Sequence, residues 1–417
     1  MRAYLRSLDP QLPRAVLLLQ LGGFLNAFGN GLAFPFLVIY LHNVRGLPLG
    51  YAGLAVALSS FTALLAGPLA GTLVDRVGGR AVLAGSLALL ALGYGGLPYV
   101  REDWHAFALA ALFGAGTGGF WPSQSSLTAG LTPRDRIHAA FSMQRVMNNA
   151  GIGLGAVAGG LIATTDDPSS FTLLFLLDAA TFVGFAFVLL RIPPVHTEHE
   201  EEPGSYRQVL SNRVFFVALA LNAGFVGAGY GMVELIGVFA KNDAGVSERG
   251  IGLVFLANTA FIVAAQLPVV RALEGRRRMP AFAFMGVLWA AAWLLALATG
   301  LWLEAAAATA LLALVGIVFG LGECVHGVVW GALVTDLAPR RLIGRYMALS
   351  SVSWQVGLTA GPAVGGFLLA RSPSLFWLAS AAACAVFSAA ALAFESRLPK
   401  EARRTPGRAV AAPATGS

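Results

Sequence analysis

Five ionisable side chains interrupt long apolar stretches of the sequence: Arg145, Asp178, Glu234, Glu323 and His326. A charge in such surroundings is costly, so each one is a candidate for function. The acids have the chemistry to carry protons, because a carboxyl group in a low-dielectric cavity can exchange its proton near neutral pH. Glu323 stands near the middle of its stretch, with His326 one helical turn later on the same face. Glu323 is therefore expected to couple protons to another event, the alternative being a carboxyl group bonded to a neighbouring helix. His326 either joins that chemistry or packs. Glu234 follows Gly229-Tyr230-Gly231, glycines that let a helix bend, and reads as a second cavity acid or as an interfacial residue. Arg145 and Asp178 lie in consecutive apolar stretches and are expected to pair, which lowers the cost of both charges.

The elements that position these groups come from a repeat. Residues 113–160 and 319–366 align without a gap at an offset of 206. Phe113, Gly114 and Gly116 fall on Phe319, Gly320 and Gly322, and Leu131, Pro133, Arg134 and Ile137 fall on Leu337, Pro339, Arg340 and Ile343. Gly151, Gly155, Gly159 and Gly160 fall on Gly357, Gly361, Gly365 and Gly366. Leu25-Asn26-Ala27 also matches Leu221-Asn222-Ala223, so the chain is one unit written twice. Each copy of the longer repeat reads as an apolar helix, a basic turn and a second apolar helix. Glycines four apart share one helix face, where two backbones can approach closely or move against each other.

Hydrophobic residues make up 57% of the 417 and charged residues 12%, against about 25% charged in soluble domains. Twelve segments are long enough to span a bilayer, which takes roughly 20 apolar residues. They lie near 15–40, 51–73, 81–99, 104–130, 138–163, 170–191, 214–240, 250–271, 280–300, 303–336, 343–370 and 374–394. The tenth is long enough to expect a kink or a surface turn. Placing the N-terminus inside puts 22 Lys and Arg in the inner loops and 5 in the outer ones, with Arg145 within a span. By the positive-inside rule both chain ends are cytoplasmic in a cell (inner or plasma) membrane. The net charge of +7 follows from that asymmetry and implies no nucleic-acid partner. Cys324 and Cys384 both fall in spans and form no disulfide framework. The first apolar run reads as a span, not as a cleavable leader.

Between the second and third spans stands Gly71-Thr-Leu-Val-Asp75-Arg76-Val-Gly78-Gly79-Arg80. This resembles the signature loop of the major facilitator superfamily, Gly-x-x-x-Asp-Arg-x-Gly-Arg-Arg/Lys, with Gly79 replacing a basic residue. The resemblance implies a fold of twelve transmembrane helices in two six-helix bundles, all α. It also implies a gating role for Gly71, Asp75, Arg76, Gly78 and Arg80, in which Asp75 ties the first bundle to the start of the eleventh span near Arg340, Arg341 and Arg345. The eleventh span carries Gly357-x-x-x-Gly361-Pro362-x-x-Gly365-Gly366, similar to the antiporter motif of the family. The fifth span has Gly151, Gly155 and Gly159 in the same pattern but Ala156 in place of the proline. The neighbouring composition resembles the bacterial drug:H⁺ antiporter subfamily over about residues 15–394.

The domains expected are a bundle over 1–190, a cytoplasmic linker at 191–213, a second bundle over 214–396 and a disordered tail at 397–417. The linker run His196-Thr-Glu198-His199-Glu200-Glu201-Glu202 lacks metal-ligand spacing, so no metal is expected. A substrate wall is assigned to Asn26, Asn30, Phe34, Trp121, Gln124, Gln144, Asn148, Tyr230, Trp330, Trp354 and Gln355. Aromatics with sparse amides suit an amphipathic organic solute. No phosphate-binding loop of the G-x-x-x-x-G-K-[ST] type is present, so the chain itself carries no site for ATP as an energy source, and no cofactor is expected. The reading is a monomeric secondary transporter, not an enzyme. Its expected partners are the bilayer, protons and a small-molecule substrate, with alternating access driving efflux of hydrophobic compounds. Transport of one defined metabolite is the alternative, and a membrane sensor or lipid scramblase on the same fold is the third reading.

Overall fold

The computed structural model describes residues 12–194, 206–303, 305–339 and 342–405. Among them stand twelve long helices. The first six are α1 (Arg14–Ala33), α2 (Leu49–Val77), α3 (Gly79–Gly96), α4 (Asp103–Leu131), α5 (Ile137–Ile162) and α6 (Pro168–Leu189). The second six are α7 (Arg213–Ala228), α8 (Glu248–Leu273), α9 (Arg278–Trp302), α10 (Ala305–Leu337), α11 (Ile343–Arg371) and α12 (Pro373–Phe394). Nine of the twelve are long and apolar enough to cross a membrane by length and composition alone. The other three, α4, α5 and α11, carry many of the amides and serines. Each of them is nevertheless held between apolar helices: α4 by α2 and α3, α5 by α1 and α8, α11 by α2 and α7.

The repeat becomes two bundles with matching packing. In the first, α1 packs on α5 and α6, α2 on α4, and α3 on α4 and α6. In the second, α7 packs on α11 and α12, α8 on α10, and α9 on α10 and α12. Two extensive contacts join the bundles, α2 with α11 and α5 with α8, and these are the same contact under the repeat; smaller ones link the segment after the α1 break to Ile236–Asn242 and to α8. An even number of helices returns the chain to its starting side, so the start of α1 and the end of α12 share one face, termed the terminal face below.

The spaced glycines pack helices within each bundle. A Cβ at Gly151 would stand 2.8 Å from Ala27 Cβ, and one at Gly159 would stand 2.7 Å from the Leu32 carbonyl oxygen. The same holds for α11 on α7, where Gly357 meets the Ala223 carbonyl at 2.6 Å and Gly361 the Gly227 carbonyl at 2.7 Å. Gly155 faces Phe28, and Gly365 faces Leu235 and Met232. The last glycine of each motif turns the other way: Gly160 meets Glu248 and Arg249 across the bundle boundary, and Gly366 meets Gly53 and Leu49.

Both leading helices of the bundles break at depth. After Ala33, α1 continues as a 3₁₀ turn at Phe34–Phe36, holding Pro35, and ends in a π-type turn at Tyr40–Val44. After Ala228, α7 breaks at Gly229 (φ −102°, ψ −90°) and resumes as Tyr230–Val233 and Ile236–Asn242, so the bend expected of these glycines is present. The tenth span, expected to kink or turn at a surface, is one helix of 33 residues.

A second expectation is corrected at the end of the chain. Of the segment expected as a disordered tail, 397–417, the part through Thr405 is folded onto the second bundle. Residues Glu395–Arg397 and Lys400–Arg403 form 3₁₀ turns, and the segment through Thr405 docks on the α8–α9 turn. The Thr405 N–H donates to the Arg276 carbonyl at 2.9 Å, and Arg277 pairs with Glu395 at 2.7 Å. The Arg278 guanidinium, fully buried, donates to the Ala402 carbonyl at 3.1 Å and pairs with Asp336 of α10. A Pro- and Arg-rich composition looked unstructured in isolation, but its arginines and backbone find partners on the helix ends. Residues 406–417 and the His/Glu run at 196–202 lie outside the described residues.

Candidate functional site

The bundles meet closely on the face opposite the terminal face. A Cβ at Gly252 would stand 2.5 Å from the Ala156 carbonyl, and one at Gly53 would stand 2.5 Å from the Pro362 carbonyl. Near that face the amides of Asn43 and Asn242 bond to each other across the boundary at 2.7 and 3.4 Å. Glu248 at the start of α8 accepts from the Thr165 N–H at 3.0 Å and pairs with Lys241 at 2.8 Å. These backbone approaches all fall in the halves of α2, α5, α8 and α11 farther from the terminal face. Nearer that face, a Cβ at Gly71, Gly331 or Gly344 would meet nothing within 4 Å.

Beneath this seal lies a chamber of about 300 Å³ lined by both bundles. Its wall includes Asn30 and Phe34 around the α1 break, Asn149 of α5, and Tyr230 and Glu234 around the α7 break. Phe255 and Asn258 of α8, Phe319 and Glu323 of α10, and Trp354 of α11 complete it. Glu323 and Glu234 thus share one chamber, although they come from different helices and different depths of sequence. The Asn258 amide donates to Glu323 Oε2 at 2.8 Å and to the Gly316 carbonyl at 3.0 Å, which holds it as a donor toward the acid. Tyr230 stands with the same carboxylate on the chamber wall. Aromatic rings pack around it: Tyr230 on Trp354 with centroids 4.5 Å apart, and Phe34 edge-on to Phe255 at 5.9 Å. Flat apolar walls with a few fixed amides and acids can hold an amphipathic solute and exchange a proton beside it.

Of the residues assigned to the wall, Asn30, Phe34, Tyr230 and Trp354 are on it. Gln124 and Gln144 are not; they are buried and bonded to each other at 3.0 Å inside the first bundle. Trp330 donates its indole N–H to Ser350 at 2.8 Å, and these two occupy the repeat equivalents of Gln124 and Gln144. One polar contact therefore recurs in both bundles as packing. Asn26, Trp121, Asn148 and Gln355 also lie outside the chamber lining. His326 sits behind the wall. Its Nε2 lies 2.9 Å from Asn222 Oδ1, and the Asn222 amide donates to Ser353 at 2.9 Å, so the ring nitrogen is the donor to Asn222. Rings of Tyr230, Phe282, Trp289, Trp330 and Trp354 surround it.

The expected pair of Arg145 and Asp178 is not formed. Asp178 is fully buried against α1, where Gly29 makes room for it, and its Oδ1 lies 3.5 Å from the Thr181 hydroxyl. Arg145 faces the other bundle. A Cβ at Gly327 of α10 would stand 2.9 and 3.1 Å from its two Nη atoms and 3.4 Å from Cζ. The two residues are on consecutive helices but on faces that look in different directions, and α5 and α6 share little surface compared with α5 and α1.

The loop motif builds the turn from α2 to α3. Gly78 caps α2 at φ 86°, a conformation costly for any residue with a side chain. Arg80 donates to the Leu190 carbonyl at 3.2 Å, tying the start of α3 to the end of α6. Asp75 and Arg76 are exposed in the last turn of α2. Two of the arginines expected to meet Asp75, Arg340 and Arg341, lie outside the described residues. Both cysteines are free and buried.

Asn258 and Asn149 line the chamber and Asn222 bonds His326 behind it, positions that a search for charge passes over. A signal for Asn258 exists in the sequence: an amide in an apolar span must find a partner, and two turns of packing bring it to the span of Glu323.

The chain is 27% identical over 376 residues to multidrug resistance protein MdtH of Aeromonas hydrophila subsp. hydrophila, covering 86% of this chain and 90% of that protein. It is 28% identical over 219 residues to the uncharacterized MFS-type transporter YttB of Bacillus subtilis (strain 168), a match over 52% of this chain and about half (54%) of that relative. Among solved structures it is similar to the peptide transporter POT in complex with sulfate, with a TM-score of 0.75, 16% identity and coverage of 92% of this chain and 95% of that one. That likeness, at so low an identity, speaks to the fold. The family model of the Major Facilitator Superfamily matches residues 19–247 and again 219–416, two overlapping matches that together span both bundles. With twelve helices in two repeated bundles around a shared chamber, the chain belongs to the Major Facilitator Superfamily and is a membrane transporter, not an enzyme.

Proposed function

We propose that this transporter exports small hydrophobic or amphipathic compounds in exchange for protons, by alternating access. The observation that carries the reading is the pair of acids, Glu323 and Glu234, on the wall of one aromatic chamber between the bundles. The terminal face is cytoplasmic in this reading, on the strength of the 22-to-5 division of Lys and Arg between loops. The close packing on the opposite face then seals the chamber on the outer side in the state described, the state that loads an export substrate. The similarity to MdtH, named for multidrug resistance, supports the substrate class. Asp75 serves as a latch of the opposite state, accepting from α11 near Arg345.

The test is uphill transport in proteoliposomes with Glu323→Gln and Glu234→Gln. Gln keeps the acceptor that Asn258 uses but carries no exchangeable proton. Glu323→Gln is expected to lose pH-driven accumulation and keep downhill exchange. If the Glu234 variant alone loses accumulation, the coupling acid is Glu234. If neither does, proton exchange through these acids is wrong. Specific transport of one metabolite is the second reading, favoured by the three amides Asn30, Asn149 and Asn258 on the wall, and a compound panel separates it from broad export.

A further inference from the structure

We propose that Arg145 is the cross-bundle counter-charge of Glu323, so that loss of the Glu323 proton draws the two bundles together beneath the chamber. The inference rests on the reading of Glu323 as a proton-coupling acid. Its own support is geometric. Arg145 projects from α5 of the first bundle and lays its guanidinium over Gly327 of α10 in the second. Gly327 is four residues after Glu323, one helical turn, so both groups look across the same gap. A side chain at Gly327 would occupy the space the guanidinium fills; its repeat equivalent in the first bundle is Trp121. The carbonyl of Arg145 accepts from Asn149 at 2.9 Å, and Asn149 lines the chamber, so the same α5 face carries both the chamber wall and the cation below it.

The repeat sharpens the argument. The equivalent of Arg145 is Ser351, and the equivalent of Glu323 is Thr117. One bundle therefore carries the cation and the other the acid, with neutral residues at both mirrored positions. The other titratable groups around Glu323 are Tyr230 and Glu234 from α7, and Cys324 and His326 on its own helix. Asn258 from α8 and Trp354 from α11 are neutral. Arg145 is the one cation among these neighbours. Charged Glu323 attracts it, and the shortest way to bring the two together closes α5 onto α10 on the terminal side. A proton on Glu323 removes the attraction and leaves the terminal face open. Arg145 acts through Glu323 and is a positioning residue.

The experiment uses the full chain in lipid nanodiscs with spin labels at Ala129→Cys and Thr335→Cys, exposed positions near the terminal ends of α4 and α10; the native thiols are buried. Raising the pH from about 6 to 8.5 is expected to shift the unmodified chain toward the shorter distance. The change in population ratio is on the order of tenfold, within what a charge pair drawn to about 4 Å supplies at an effective dielectric of about 20. Arg145→Gln and Glu323→Gln are each expected to lose the shift, the double variant to behave as either single one, and Arg145→Lys to keep most of it. If Glu323→Gln loses the shift but Arg145→Gln keeps it, Glu323 is the sensor and the counter-charge role is wrong. If Arg145→Lys behaves as Arg145→Gln, the role is one of shape, which also overturns the proposal. If Glu323→Gln itself keeps the shift, the proposal and the underlying reading of Glu323 both fail.

Discussion

Replacing Gly252 by Leu tests how the bundles close on the face opposite the terminal face. A Cβ at this position would lie 2.5 Å from the Ala156 carbonyl oxygen and 3.2 Å from Val157 Cα, both backbone atoms of the other bundle. Backbone cannot rotate aside, so the bundles must separate there. Overpacking of this kind costs about 1–3 kcal/mol, and only the closed state bears it. The ratio of closed to open at that face should therefore fall by about 5- to 150-fold. Gly361→Leu is the contrasting change. Its Cβ would meet the Gly227 carbonyl and Gly231 Cα at 2.7 Å, but these belong to its own bundle. Rocking the bundles relieves nothing there, so the expected effect is a lower unfolding temperature with little change in the state ratio. Spin labels at Arg101→Cys and Arg371→Cys report the distance across the face, and thermal unfolding reports stability. An unchanged distance distribution in Gly252→Leu would refute the reasoning, as would an equal shift in Gly361→Leu.

Three further outcomes are expected. Asp75→Asn should leave folding intact, favour the state open at the terminal face and slow transport; the label pair at Ala129 and Thr335 would show no change if the latch is wrong. Ser205→Cys should resist an impermeant thiol reagent in intact cells and react after permeabilisation, and free reaction in intact cells would reverse the topology. Arg278→Met removes the partner of Asp336 and of the Ala402 carbonyl. Because Asp336 is 41% exposed and can turn to water, the loss should be about 1–3 kcal/mol, less than for a fully buried pair. It should also free the terminal strap, read as faster tryptic cleavage at Lys400.

The repeat made the architecture legible. An offset held through glycines and a basic turn carries helix count, bundle division and the pairing of α1 with α5 and α7 with α11. It also held the contact of Gln124 with Gln144, since Trp330 and Ser350 stand at the same places, but two polar residues in apolar spans were read as a wall instead of a packing pair. Depth along a helix is easily read from sequence and direction around it is not. Arg145 and Asp178 have suitable depth to pair, yet one faces α10 and the other α1. Asn258 bears no charge and so stands out little in the sequence, although its amide holds Glu323. The strap through Thr405 was hidden for another reason: its stability comes from buried Arg278 and the helix ends it covers, not from its own composition.

The central claim is that substrate and protons move in opposite directions through the shared chamber. The direct measurement is the lumenal pH of proteoliposomes whose embedded chains expose the terminal face outward, after substrate is added outside. Export by exchange should carry substrate in and protons out, making the lumen alkaline, with accumulation approaching about tenfold per unit of imposed pH difference for a single exchanged proton. Glu323→Gln should abolish the pH change while exchange of labelled substrate continues. Substrate uptake with no lumenal pH change, or an unchanged signal in Glu323→Gln, would contradict the account.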